Sequence, residues 1–204
     1  MISPKHVIDC LKTIFRKRED KKRLYLLSMM VLIVTHMMAT QAEQYCQFLF
    51  TKRQFQWEMD TYSYYTTLDT IAASLGLMLF TPLFHHFNVH DNIILLISSV
   101  SLISAQMIRA FAQNEAVFFG SVAADFGSSM FMAPIRAQMT RCIPIEENGK
   151  VFAMLASLEC LVPILGSAIF TNLYNATSQL DYPWVGSFYF GSSAIVLLGI
   201  FLGI

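Results

Sequence analysis

The sequence predicts an all-α integral membrane protein of six transmembrane helices, on three observations. Of 204 residues, 55% are apolar and only 14% charged, against about 25% charged in soluble domains, and the mean hydropathy is +0.50. Six stretches reach the roughly 20 mostly apolar residues that a bilayer core requires. Finally, eight of the 14 Lys and Arg residues crowd into the first 23 positions, the kind of asymmetry that orients membrane spans.

Residues 1–23 read as a cytosolic basic linker, and 24–204 as the transmembrane bundle. Within the linker, Val7, Leu11, Ile14 and Phe15 recur at helical spacing, with Lys12 and Arg16 on another side. That pattern suits a helix lying on the membrane surface and equally a solvated linker with helical tendency. The spans fall at about 24–49, 62–84, 92–112, 116–140, 150–174 and 184–204. With the N-terminus in the cytosol, the basic segment, Arg141 and Lys150 lie inside, and Lys52, Arg53 and Arg109 at the outer side. Six spans then return the C-terminus to the cytosol. The plasma membrane is the expected location, with the lysosomal membrane as the alternative.

Ionisable residues within spans are costly and usually face a bundle interior or a wet cavity. Helical spacing groups them into stripes. The first span carries His36, Thr40, Glu43, Gln44 and Gln47; the second Tyr62, Tyr65, Thr66, Asp69, Ala73 and Gly76. Ser121, Asp125, Ser128, Met132 and Arg136 follow in the fourth, and Phe152, Ala156, Glu159, Pro163 and Gly166 in the fifth. Small residues that glue helices together account for the Ser, Ala and Gly content, but not for four carboxylates and an arginine, so a shared solvated interior is expected. At about 1.5 Å per residue, His36 lies near mid-membrane, and Glu43, Asp69 and Asp125 lie in the outer half. Asp125 and Arg136 are about 16 Å apart along their helix, too far to pair. Arg136 and Glu159 match better in depth, either as a structural ion pair or as an anion-contacting arginine beside a titratable carboxylate. Pro82 is expected to end the second span, and Pro134 and Pro163 to interrupt the fourth and fifth.

Other chemistries find little support. No nucleophile–base pair or phosphate loop stands out, so an enzyme is not expected. No cofactor or metal motif is visible: Cys10, Cys46, Cys142 and Cys160 lack ligand spacing, and His85, His86 and His90 read as loop residues. The basic segment has no stacking or zinc motif, so nucleic acid is not an expected partner. Asn175-Ala176-Thr177 matches a glycosylation sequon on the outer side, a motif that recurs by chance.

Two long segments go further. "PIRAQMTRCIPIEENGKVFAMLASLE" and "GSAIFTNLYNATSQLDYPWVGSFYF" resemble the proton-coupled folate transporter family of the major facilitator superfamily. The marks are the Arg…Pro-x-Glu-Glu-x-Gly-Lys-x-Phe-Ala turn and the later Tyr-x-Ala-Thr. "LKTIFRKREDKKRL" looks like the loop joining the two halves of such transporters, and "FLFTKRQFQWEMDTYSYY" like the outer loop after the seventh helix. The loop "HHFNVHDN" lacks the Asp-Arg-x-Gly-Arg pattern that many facilitators carry there.

The resemblance implies the C-terminal half of a major facilitator fold, helices seven to twelve, and a fragment lacking the N-terminal six-helix half. It implies transport of a small organic, anionic or folate-like solute by alternating access, with protons, a solute and the lipid bilayer as partners. Arg136 matches the family's tenth-helix arginine. The family's seventh-helix histidine falls at Thr40, with His36 about one turn away. Arg136, Tyr65 and Glu159 are accordingly the candidate solute contacts. His36, Glu43, Asp69, Asp125 and Glu159 are the candidates for proton coupling. The alternative is a six-span membrane protein that acts through interactions without transporting.

Overall fold

The computed structural model describes residues 22–178 and 184–203, and among them the chain is helical with no strand. The basic segment before residue 22, with its surface-helix expectation and Cys10, lies outside the described residues. The helices are α1 (Lys22–Gln54), α2 (Met59–His86), α3 (Asp91–Ala110), α4 (Glu115–Asp125), α5 (Met132–Cys142), α6 (Ile145–Thr177) and α7 (Ser187–Gly203). Each expected span has its counterpart, with α4 and α5 sharing the fourth. Among the described residues five segments are long and apolar enough to cross a membrane, and the apolar run of α7 is shorter.

α1 is the central post, packed against α6 and α7, while α3 contacts α4 and α7. Burial follows this order. Leu26, Met29, Ile33, Leu95, Ile135 and Leu155 pack at the N-terminal end of α1. An aromatic cluster closes the other end, where Phe118 lies 4.9 Å from Tyr65, 5.5 Å from Trp57 and 6.1 Å from Phe50, ring centre to ring centre. Such ring pairs contribute about 0.5–1.5 kcal/mol each beyond their burial. Most of α2 faces outward, with Leu68, Ile71, Leu75 and Met78 exposed.

The fourth span is not one helix. α4 begins at an Asn114 cap, whose side chain accepts from the Val117 N–H at 2.9 Å, and ends at Asp125; a 3₁₀ turn, Ser128–Phe131, leads into α5. Two features of the sequence account for the break. Gly127, Ser128 and Ser129 hold a helix weakly, and Pro134 has no N–H to offer the carbonyl four residues earlier, at Met130. Irregular backbone at membrane depth needs substitute partners, and serines supply them. Ser101 donates to the Ala124 carbonyl at 2.6 Å and accepts from the Gly127 N–H at 3.1 Å, while Ser129 donates to the Ala73 carbonyl at 2.8 Å. Gly76 lets α2 come so close that a Cβ there would meet the Phe126 carbonyl oxygen.

The other prolines act differently from expectation. α2 continues through Pro82 to His86, and α6 runs uninterrupted past Pro163. In a long helix packed on neighbours, one lost backbone bond is tolerated. The break also corrects the fourth stripe: Asp125 and Arg136 belong to different helices, the first buried and the second exposed. The fifth stripe is offset too, because α6 buries Val151, Leu155, Val162 and Gly166, leaving Glu159 on its flank.

Candidate functional site

The buried face of α3 runs Leu95, Ser98, Leu102, Ala105, Gln106 and Arg109, the spacing of one side of a helix. Its last turn therefore carries Arg109 into the bundle, where the residue is 1% exposed. Arg109 was expected among the outer-face cations, and this is the main correction to the sequence reading. Its guanidinium pairs with Glu43 of α1, with Asp125 of α4 at 2.8 Å and with Asp69 of α2 at 3.1 Å. Its Nε donates to Ser121 at 2.9 Å. The planar guanidinium fork suits such a hub, since it offers five fixed N–H donors to carboxylates arriving from several sides.

A second layer holds the first. Gln47 and Gln106 each donate to Glu43 at 3.4 Å, Ser193 of α7 donates to Gln106 at 2.9 Å, and Tyr62 donates to Gln47 at 3.3 Å. Ser121 donates onward to the Phe118 carbonyl, which leaves the Tyr65 hydroxyl, 3.3 Å away, to donate to Ser121. The Tyr65 ring also lies under the guanidinium, 5.9 Å from ring centre to carbon. Four helices, α1, α2, α3 and α4, thus meet through one arginine, and α7 joins them through Gln106. Depth placed Glu43, Asp69 and Asp125 in the outer half, and the structure brings those three together around Arg109.

Beside this cluster lies a cavity of about 310 Å³, bordered by Thr40, Gln44, Asp69, Thr70, Asp125 and Ser128 among others. Three of the four sequence stripes contribute to its wall. Tyr65 does not; it is buried in the aromatic cluster with its hydroxyl on Ser121.

Arg136 and Glu159 do meet, at 2.5 Å, with side chains 46% and 22% exposed. α5 and α6, joined by a short turn, carry this pair apart from the Arg109 cluster. His36 is buried, its ring stacked on Phe131 with centres 3.7 Å apart, and its Nδ1 has no hydrogen-bond partner among the described residues. Phe131 sits in the 3₁₀ turn of the fourth span, so His36 touches the break and stands outside the Arg109 network.

At the N-terminal end of α1 a larger cavity, about 750 Å³, is lined by residues including Tyr25, His85, His90, Asn92 and Arg141. Tyr25 donates to Gln138 at 2.6 Å and Gln138 to Asn92 at 2.8 Å, while Arg141 pairs with Asp91 at 3.0 Å. These bonds tie α1, α3 and α5 together. Among the described residues no group of His, Cys, Asp and Glu is arranged to hold a metal ion.

Similarity to known proteins runs along most of the chain. It is 24% identical over 204 residues to the probable peptidoglycan muropeptide transporter SLC46 of Drosophila melanogaster, covering 95% of this chain and 39% of the relative. It is 28% identical over 160 residues to the proton-coupled folate transporter of Bos taurus, covering 77% of this chain and 33% of that protein. The chain therefore spans a third to two-fifths of the length of these relatives. No protein-family model matches it. The resemblance carried by the sequence motifs is thus a similarity to transporters.

Proposed function

From a multi-pass helical bundle that is similar, over nearly all of its length, to curated transporters, we propose that this chain forms one side of a membrane transport pathway. It works opposite a second six-helix half, and small organic solutes cross between the halves by alternating access. Folate and a peptidoglycan muropeptide, for which the two relatives are named, are the first solutes to test. The N-terminus lies in the cytosol, as the basic flank favours, and the plasma membrane is the site of action.

One observation carries the reading: a polar cavity bordered by ionisable side chains from several helices, inside a bundle whose core is mostly apolar. A purely structural membrane bundle has no use for that arrangement, since small residues pack helices at lower cost. Arg136, exposed over nearly half its side chain, is available to an anionic group of the solute. Protonation of Glu43, Asp69, Asp125 or Glu159, with His36 as a further candidate, shifts the balance between inward- and outward-facing states.

The test is uptake by the complete transport unit. Arg136→Ala abolishes uptake of labelled folate or muropeptide while surface expression is retained, and unchanged uptake would refute the assignment. A proton-coupled pathway also shows faster uptake when the outer solution is acidified, together with acidification of the cell interior.

A further inference from the structure

Beyond Gly76, α2 stands away from its neighbours. The helix packs chiefly on α4 and on the 3₁₀ turn of the fourth span. Tyr65 and Gly76 are its buried residues, and none from Leu77 to His86 is buried. The cavity of about 750 Å³ occupies the space this leaves, with the end of α2 on one side and α3 and α5 on the other. Its far wall runs from Met130 to Cys142, about 18 Å of helical rise. One leaflet of a bilayer, headgroups included, is roughly 20 Å thick. The cleft is one leaflet deep.

Its lining is graded along that depth. Phe84, Ile94, Met130 and Pro134 make the deeper part apolar, while His85, His90, Asn92 and Arg141 ring the mouth. The Arg141 side chain is 72% exposed and pairs through Nη1 with Asp91, the one carboxylate on the wall. That pairing orients the arginine without exhausting it, since a guanidinium has five N–H donors and Arg109 serves three carboxylates in this same bundle. Asn92 accepts from Gln138 through its Oδ1, so its amide nitrogen remains a donor. Eight Lys and Arg residues in the first 23 positions lead directly into Tyr25 on the cavity wall. Basic clusters beside a span, and basic pockets between spans, attract anionic headgroups on the cytosolic side.

We propose that this cleft seats one anionic phospholipid of the inner leaflet. Its phosphate lies at the mouth on Arg141 and Asn92, and one acyl chain runs between Phe84 of α2 and the Met130–Pro134 stretch of the fourth span. A soluble anion would leave the apolar depth unfilled, and a bare hydrocarbon chain would leave the polar mouth without an acceptor. The seated lipid fills the gap between α2 and α5 beside the break in the fourth span. From the transport reading the proposal takes only the cytosolic placement of the N-terminus, and binding is measured whichever way the chain faces.

The experiment is native mass spectrometry of the purified chain, released from detergent micelles after titration with phosphatidylserine or phosphatidylcholine. One phosphatidylserine is expected to be retained, about tenfold more tightly than phosphatidylcholine, the worth of one charge-assisted hydrogen bond. Arg141→Gln lowers the phosphatidylserine affinity by about tenfold and leaves phosphatidylcholine as it was. Ala133→Phe, at an exposed position on the cleft wall, fills the cleft and abolishes retention of either lipid. Ala153→Phe, at an exposed position of α6, changes nothing. Should Ala133→Phe fail to fold, Thr81→Phe serves instead, from the exposed α2 side of the same cleft. Equal retention of the two lipids, or retention of neither, overturns the proposal. So does phosphatidylserine binding that survives both Arg141→Gln and the cleft-filling variant, which would locate the attraction in the basic flank. Displacement of the lipid by an equal concentration of glycerol 3-phosphate would make this a site for soluble phosphates and overturn the lipid assignment. Retained lipid with no uptake by the complete transport unit would count against transport alone, so the two readings fail separately.

Discussion

Replacing Arg109 by methionine keeps the length of the side chain and removes its charge. The structure sets the scale of the damage. Three carboxylates lose their only guanidinium and Ser121 loses a donor. Breaking a buried ion pair from one side costs about 3–5 kcal/mol. The assay is denaturation in detergent micelles, followed through the fluorescence of Trp57, which is buried beside Phe118. The expected result is a loss of about 4 kcal/mol. Adding Glu43→Gln, Asp69→Asn and Asp125→Asn to Arg109→Met should recover most of that stability, because a set of neutral groups needs no counter-charge. A loss below about 1 kcal/mol, or no recovery in the combined variant, would refute the assignment of Arg109 as the hub of this cluster.

Two further substitutions and one control test the broken fourth span. Gly76→Ala forces a Cβ against the Phe126 carbonyl and should cost about 1–3 kcal/mol by the same assay, whereas Gly120→Ala, with open space around it, should change stability by less than about 0.5 kcal/mol. Ser101→Ala removes both the donor to Ala124 and the acceptor for Gly127, so a loss of about 1–3 kcal/mol is expected, with faster hydrogen exchange at the Gly127 amide; unchanged exchange would mean that the serine does not hold the break.

The sequence made the spans plain because membrane helices are written in long apolar runs, and the three carboxylates could be placed in the outer half from helical rise alone. The Arg136–Glu159 pair was legible for the same reason: a short turn sets both depths. Arg109 was harder. It stands three residues from the end of its apolar run, where a cation ordinarily reaches out to water, so counting charges per side assigned it to the surface. A better signal was present. Gln106 and Arg109 continue the Leu95, Ser98 and Leu102 face of α3, and an arginine on the inward face at the depth of three unmatched carboxylates is a candidate partner for them. The break before Pro134 was half legible. A proline weakens the turn ahead of itself, but where the chain yields depended on Ser101, Ser129 and Gly76 arriving from other helices. Pro163 shows the converse, a breaker overruled by packing. The offset of Glu159 from the buried side of α6 could not be read at all, because a stripe fixes which residues share a face and not which neighbour that face meets.

The long-range wiring of Arg109 also bears on how the chain is made. Glu43 precedes its arginine by 66 residues and Asp69 precedes it by 40. At about 5–20 residues per second, the ribosome takes roughly 3–13 s to supply the arginine after the glutamate has been synthesised. During that interval the first two spans carry acidic side chains with no cation to pair with, and neither is at home in lipid. Insertion that keeps both spans out of bulk lipid until the third arrives spares those charges the cost of exposure.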